Sequence, residues 1–126
     1  NLIPVTVAGN NQDTIELQHE PSNTLFHASS SHSYNTGDKT TLALRPEKIL
    51  IDKTPVAHCD NQLEGSVKEI AYLGKISTYR VQTTLGETIE VTAPNQTRSS
   101  GIGHRIEWND EVHLGWNNDS AILLSD

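Results

Sequence analysis

The chain has 126 residues, 34% of them hydrophobic and 5% aromatic, and its 9 basic against 16 acidic side chains give a formal charge of −7. Basic residues stand singly rather than in the clusters that release counterions from phosphates, and aromatics are too scarce for a stacking platform, so nucleic acid and anionic membrane surfaces are excluded as partners. No apolar run approaches the roughly 20 residues that span a bilayer, and the start lacks the basic and apolar regions of a signal peptide. The one cysteine, Cys59, rules out an intrachain disulfide and fits a reducing cytoplasm. There is no methionine, even at position 1, which predicts a processed product or a piece cut from something larger. This length holds one domain or two small β lobes, and the modest apolar content suits short strands with one face in solvent.

Period-2 alternation runs through the chain and predicts strands. Val5 and Val7 share a face, as do Ile15 and Leu17 across a polar turn, giving a hairpin. Leu25 and Phe26 begin a third apolar patch, and His27 to Lys39 reads as a loop ending in Thr36-Gly37-Asp38. Leu42 and Leu44 mark a strand that stops at Arg45-Pro46, because proline lacks a ladder donor and holds the residue before it extended. Glu47 to Ile51 predicts a helical turn entering another strand. Asp52 to Asn61 is a polar connector and the predicted boundary between lobes of approximately 1–52 and 61–126, with interleaving allowed. In the second half, Val67, Glu69 and Ala71 fall on one face, with Lys68, Ile70 and Tyr72 on the other. Ser77, Tyr79, Val81 and Thr83 alternate after Gly74, and Ile89, Val91 and Ala93 form the partner strand. Val112, Leu114 and Trp116 share a face before a turn, and Ala121 to Leu124 closes the chain. The expected class is all-β, as OB-like barrels of short antiparallel strands.

Catalytic signatures are missing. There is no P-loop, no dinucleotide fingerprint, no nucleophile elbow and no H-E-x-x-H. His58, Cys59 and Asp60 are sequence neighbours, which on an extended chain point to opposite faces, so the thiol reads as an incidental feature of a linker. The six histidines show no zinc-ligand spacing. Trp116 shares a strand face with Val112 and Leu114 and is assigned to the core; Trp108, in a polar turn, is the candidate interface residue.

The segment Leu42-Ala43-Leu44-Arg45-Pro46-Glu47-Lys48-Ile49 resembles the "LRPE" segment of the C-terminal transport-associated OB (TOBE) domain of ABC importer ATPases. The resemblance continues through Asn61 to Val67, Glu69 to Gly74, Tyr79-Arg80-Val81 and Val91 to Asn95, and ends at Asn109 to Trp116, with Asn109 where glycine is usual. Asn1-Leu2-Ile3 is similar to the residues that follow the ATPase core. Tyr72-Leu73-Gly74, Pro94-Asn95 and Trp116 look most like the polyamine (putrescine or spermidine) importers.

The resemblance implies a regulatory and dimerisation domain that is no enzyme itself. ATP and Mg would be bound by a missing N-terminal portion, and no cofactor by this part. It also implies a homodimer through the parent ATPase, contact with permease subunits through the parent, and a cytoplasmic place at the inner membrane without insertion into it. Family-motif residues carried over in structural roles are Arg45, Glu47, Asn95 and Trp116, with Arg45 and Glu47 expected to fix the crossing between lobes by charge-assisted hydrogen bonds. The alternative is a free-standing OB-type small-ligand-binding protein.

Overall fold

The structure, a computed structural model, describes residues 1–11, 13–29, 33–94 and 106–124. Its elements in chain order are β1 (Leu2–Asn11), β2 (Thr14–His19), β3 (Thr24–Ser29), β4 (Lys39–Leu44), a 3₁₀ turn (Pro46–Lys48) and β5 (Leu50–Asp52). They continue with β6 (Asn61–Leu73), β7 (Ile76–Thr83), β8 (Thr88–Pro94), β9 (Glu111–Trp116), a second 3₁₀ turn (Asn118–Ser120) and β10 (Ala121–Leu124). All pairings are antiparallel, in two five-stranded sheets ordered β10-β4-β1-β2-β3 and β5-β9-β6-β7-β8. In each sheet the two edge strands come back toward one another, so each is rolled toward a barrel, as expected for the class. We call the first sheet lobe 1 and the second lobe 2.

The two lobes are one pattern written twice. Three antiparallel strands are followed by a fourth that pairs with the first, then a 3₁₀ turn and a short fifth strand. That fifth strand crosses over: β5 pairs with β9 of lobe 2, and β10 pairs with β4 of lobe 1. The registers superimpose the halves residue by residue. Leu2 faces Ala43, which faces Ile122, while Gln62 faces Gly115, which faces Leu50. The first strand of each half carries a bulge at the same place, after Val7 in β1 and after Val67 in β6. The turn entering the fourth strand repeats as well. The Asp38 carboxylate accepts from Asn35 N–H at 2.9 Å, and Asp110 accepts from Glu107 N–H at 2.8 Å. Gly37 (φ 96°) and Asn109 (φ 70°) take the same left-handed position in these turns, which glycine and asparagine enter most readily.

Alternation explains most of the core. Ile3, Val5, Val7, Ile15, Leu17, Leu42 and Leu44 of lobe 1 join Leu63, Val81, Ile89, Val91, Val112 and Leu114 of lobe 2 in one continuous buried cluster. Three expectations are corrected. His27 to Ser29 are strand, not loop, because they pair with Thr14 to Glu16 and bury Ala28. In β6 the bulge at Lys68 inverts the alternation beyond Val67, so Ile70 turns toward the core while Glu69 and Ala71 are exposed. The connector after β5 is not merely polar: Val56 and Cys59 are buried on the outer side of Gly115, where an added Cβ would lie 2.5 Å from Val56 Cγ2 and 2.8 Å from Cys59 Sγ.

Candidate functional site

Two asparagines join the lobes, each from the start of its half. Asn61, 3% exposed, accepts from His27 N–H at 2.7 Å through Oδ1 and donates to His27 C=O at 2.9 Å through Nδ2. Asn1 does the same across the opposite seam, accepting from Glu90 N–H at 2.7 Å and donating to Glu90 C=O at 2.8 Å. His27 and Glu90 are equivalent positions of β3 and β8. An amide side chain offers one donor and one acceptor side by side, so it satisfies one residue's backbone pair on a strand of the other lobe. A third link is His19, 2% exposed, whose Nε2 lies 2.7 Å from a Glu87 carboxylate oxygen and whose Nδ1 lies 2.7 Å from Ser22 Oγ.

Trp116 lies in this seam. It is 1% exposed, and its ring sits 5.2 Å from that of Phe26 in lobe 1, tilted at 45°. Its indole N–H has no hydrogen-bond partner among the described residues. Trp108 is the opposite case: 69% exposed, its indole N–H donates to the Lys68 C=O at the β6 bulge at 3.0 Å, which holds the ring on the surface beside β6.

Arg45 and Glu47 flank the start of the first 3₁₀ turn, which packs against β8. Both are exposed, and neither side chain has a hydrogen-bond or ion-pair partner among the described residues. The crossing they were expected to fix is held instead by Asn1, which also donates to the Leu44 C=O at 3.1 Å. Asn95 lies outside the described residues. Trp116 and Asn61 therefore share one seam and Asn1 holds the other, while Arg45, Glu47 and Trp108 stand on the surface. The asparagine pair was missed in the sequence. Its signal was the same residue opening two strands of like pattern, Asn1-Leu2-Ile3 and Asn61-Gln62-Leu63.

Chemistry at the seam positions is that of joining one lobe to the other. Burial pushes the Cys59 thiol above its ordinary pKa, and the neighbouring Asp60 charge adds to this, so the reactive thiolate is disfavoured. Among the described residues no group of three His, Cys, Asp or Glu side chains is placed to hold a metal ion, and no helix is long and apolar enough to cross a membrane.

The comparisons with known proteins agree with one another. The profile of the TOBE domain matches residues 42–124. The putrescine transport ATP-binding protein PotG of Escherichia coli K12 is 40% identical over 87 residues, covering 67% of this chain and 22% of that protein. The spermidine/putrescine import ATP-binding protein PotA of Nitrosospira multiformis is 35% identical over 91 residues, covering 71% and 24%. The PotA of Nitrosomonas europaea is 28% identical over 126 residues, covering 95% and 32%. The chain thus spans about a quarter to a third of the length of these relatives. Among solved structures, the cytoplasmic molybdate-binding protein ModG has the same fold, with a TM-score of 0.84 at 13% identity over 100% of this chain and 96% of that one.

Proposed function

The chain belongs to the TOBE-domain family, and on that premise we propose that it is the C-terminal regulatory and dimerisation domain of the ATP-binding subunit of an ABC importer for polyamines. The observation that carries this is the 40% identity to a putrescine transport ATP-binding protein, over a stretch that is only 22% of that relative's length. In this reading ATP, Mg and hydrolysis belong to the part of the parent subunit outside this chain. The domain itself is not an enzyme; it works by holding shape and presenting surface. The parent pairs with a second copy of itself and meets the permease subunits, on the cytoplasmic side of the inner membrane. Arg45, Glu47 and Trp108, exposed on the two lobes, are side chains available to such partners. The residues with structural roles are Trp116 and, from the family motif, Asn95.

The experiment is to read the parent reading frame before Asn1. A P-loop and an ABC signature in frame within a few hundred residues support the assignment; a start codon directly before Asn1 overturns it.

A free-standing small-ligand binder is the second reading, favoured by a fold that in ModG makes up 96% of the chain compared. Thermal shift with putrescine, spermidine and molybdate separates the two, since binding to the native state stabilises it with the logarithm of free ligand. The charge of −7 favours a cation over an oxyanion.

A further inference from the structure

The contacts that close each lobe run between the two halves of the chain, 1–52 and 61–126. Each half spends its fifth strand on the other: β5 pairs with β9, and β10 with β4. The asparagine clamps are reciprocal in the same way, Asn61 on His27 and Asn1 on Glu90. The Phe26–Trp116 ring contact and the His19–Glu87 pair also cross from half to half. The halves share one strand order and one register, so they meet as two like subunits would. A contact of that kind is open to two separate chains as well as to two halves of one. What makes it internal is a single covalent link, the connector Lys53 to Asp60.

The connector has a defined distance to cover. β5 and β6 lie on opposite sides of β9 and run parallel to each other, since both are antiparallel to it. Asp52 stands opposite His113 and Asn61 opposite Trp116. The chain must therefore cross β9 by two strand spacings, about 10 Å, and step back along it by about another 10 Å, a direct gap of about 14 Å. It passes over Gly115, where Val56 and Cys59 are each 6% exposed. Its far end is held by Asp60, whose carboxylate accepts from Asn118 N–H at 3.0 Å. Fully extended, this connector would reach about 30 Å, so it clears β9 with slack. We propose that connector length, and not the fit of the halves, makes this chain close on itself, and that a second copy of this chain is the partner its seams fit. With a connector too short to cross β9, the first half of one copy takes up the second half of another. The result is a dimer of two complete double barrels, in which both strand exchanges and both asparagine clamps are kept. With the full connector the closed form wins, because the tether holds the halves at an effective concentration in the millimolar range, far above that of a second copy in dilute solution. The exchange stands whether or not the parent is an importer subunit.

The test deletes Thr54 to Cys59, which leaves Lys53 and Asp60 between the strands and a reach of at most about 11 Å. Ala43→Cys and Ile122→Cys, which face each other across β4 and β10, then form a disulfide that reports which chains are joined. Heavy and light isotopic copies are mixed, run on a non-reducing gel and mapped by mass spectrometry. The control keeps the full connector, with Cys59→Ala and the same cysteine pair. At about 10 μM chain, a covalent dimer linked from β4 of one copy to β10 of the other is expected as the main species of the shortened protein, and as less than about a tenth of the control. A further variant replaces Thr54 to Cys59 by an equal length of Gly and Ser, and is expected to behave as the control does. A shortened chain whose disulfide is internal overturns the proposal, and so does a dimer linked only between like positions. A shortened chain that forms no disulfide and is unfolded by circular dichroism overturns it too, because two copies have then failed to complete each other. Dimer from the Gly/Ser variant also overturns it, and assigns closure to the packing over Gly115.

Discussion

Lobe 1 and lobe 2 share strand order, register, bulge position, entry turn and inter-lobe clamp, yet differ in nearly every outward-facing side chain. Thr6, Glu20 and Lys39 of lobe 1 form a closed polar set, with the Thr6 hydroxyl donating to Glu20 at 2.6 Å and Lys39 Nζ at 3.6 Å from the same oxygen. By register the equivalents in lobe 2 are Ser66, Thr84 and Glu111, which replace the ammonium by a carboxylate. The hairpin tips diverge too: β1 and β2 end in Asn10, Asn11 and Thr14, whereas β6 and β7 extend further and end in Tyr72, Leu73 and Ile76, each at least 40% exposed. The fold is thus maintained by a small set of inward and turn positions. The surface of each copy is free to be used differently, and exposed apolar side chains gather in different places on the two lobes.

The comparison is broken most severely at the aromatic that only lobe 2 carries. Trp116 stands where lobe 1 has Leu44, and Trp116→Ala is expected to cost about 3–5 kcal/mol because it opens a cavity against Phe26. Trp116→Phe is expected to stay within about 1.5 kcal/mol, since it removes a buried donor that has no partner along with the lost volume. Urea unfolding of both variants checks the pair; equal losses would show that the indole N–H is satisfied.

Next come the clamps. Asn61→Ala removes a buried amide and leaves the part-buried backbone pair at His27 without its partner, at an expected cost of about 2–3 kcal/mol, whereas Asn1→Ala, where the asparagine itself is half-buried, costs about 1 kcal/mol. A larger loss at Asn1 than at Asn61 in thermal denaturation would reverse the ranking of the two seams. Gly115→Ala is expected to lose about 1–3 kcal/mol by driving a methyl into Val56 and Cys59. Adding Val56→Ala should recover part of that, a coupling that a double-mutant cycle measures.

A smaller effect separates the two left-handed turns. Gly37→Ala should destabilise by about 1 kcal/mol, and Asn109→Gly should be neutral or stabilising by a few tenths of a kcal/mol. The smallest effect is that of pH. The Thr6 hydroxyl, and after it Lys39, hold the fully exposed Glu20 carboxyl below its usual pKa. A depressed folded pKa contributes stability that is present above the unfolded value of about 4.3 and is lost as pH falls through the folded value. Glu20→Gln should flatten that acid-side slope by lowering the urea midpoint slightly near neutral pH while leaving it unchanged at low pH; an unchanged slope would locate the acid sensitivity elsewhere.

Much of this architecture was legible before any coordinates. Ser77, Tyr79, Val81 and Thr83 are inward as their alternation predicts, and so are Val112, Leu114 and Trp116. Alternation assigns a residue to a face because successive side chains on a strand point in opposite directions. It failed where that rule is locally suspended, at the Lys68 bulge, and where a strand reads as polar, at His27 to Ser29. The repeat itself was visible in part, in Gly37-Asp38 and Asn109-Asp110 before Leu42-Ala43-Leu44 and Leu114-Gly115-Trp116, but its two copies share too few identical residues to stand out.

By itself, the sequence determined the all-β class, most strand faces, the turn positions and the likeness to the TOBE family, all of which depend on local pattern or on ordered motifs. Beyond the β1–β2 and β7–β8 hairpins, which the turns between them announced, the tertiary structure alone decided which strands pair. It exchanged β5 and β10 between lobes, set Asn1 on Glu90 and Asn61 on His27, and placed Val56 and Cys59 over Gly115. These are contacts between residues far apart in the chain, and a period of two says which way a side chain points but not what it will meet.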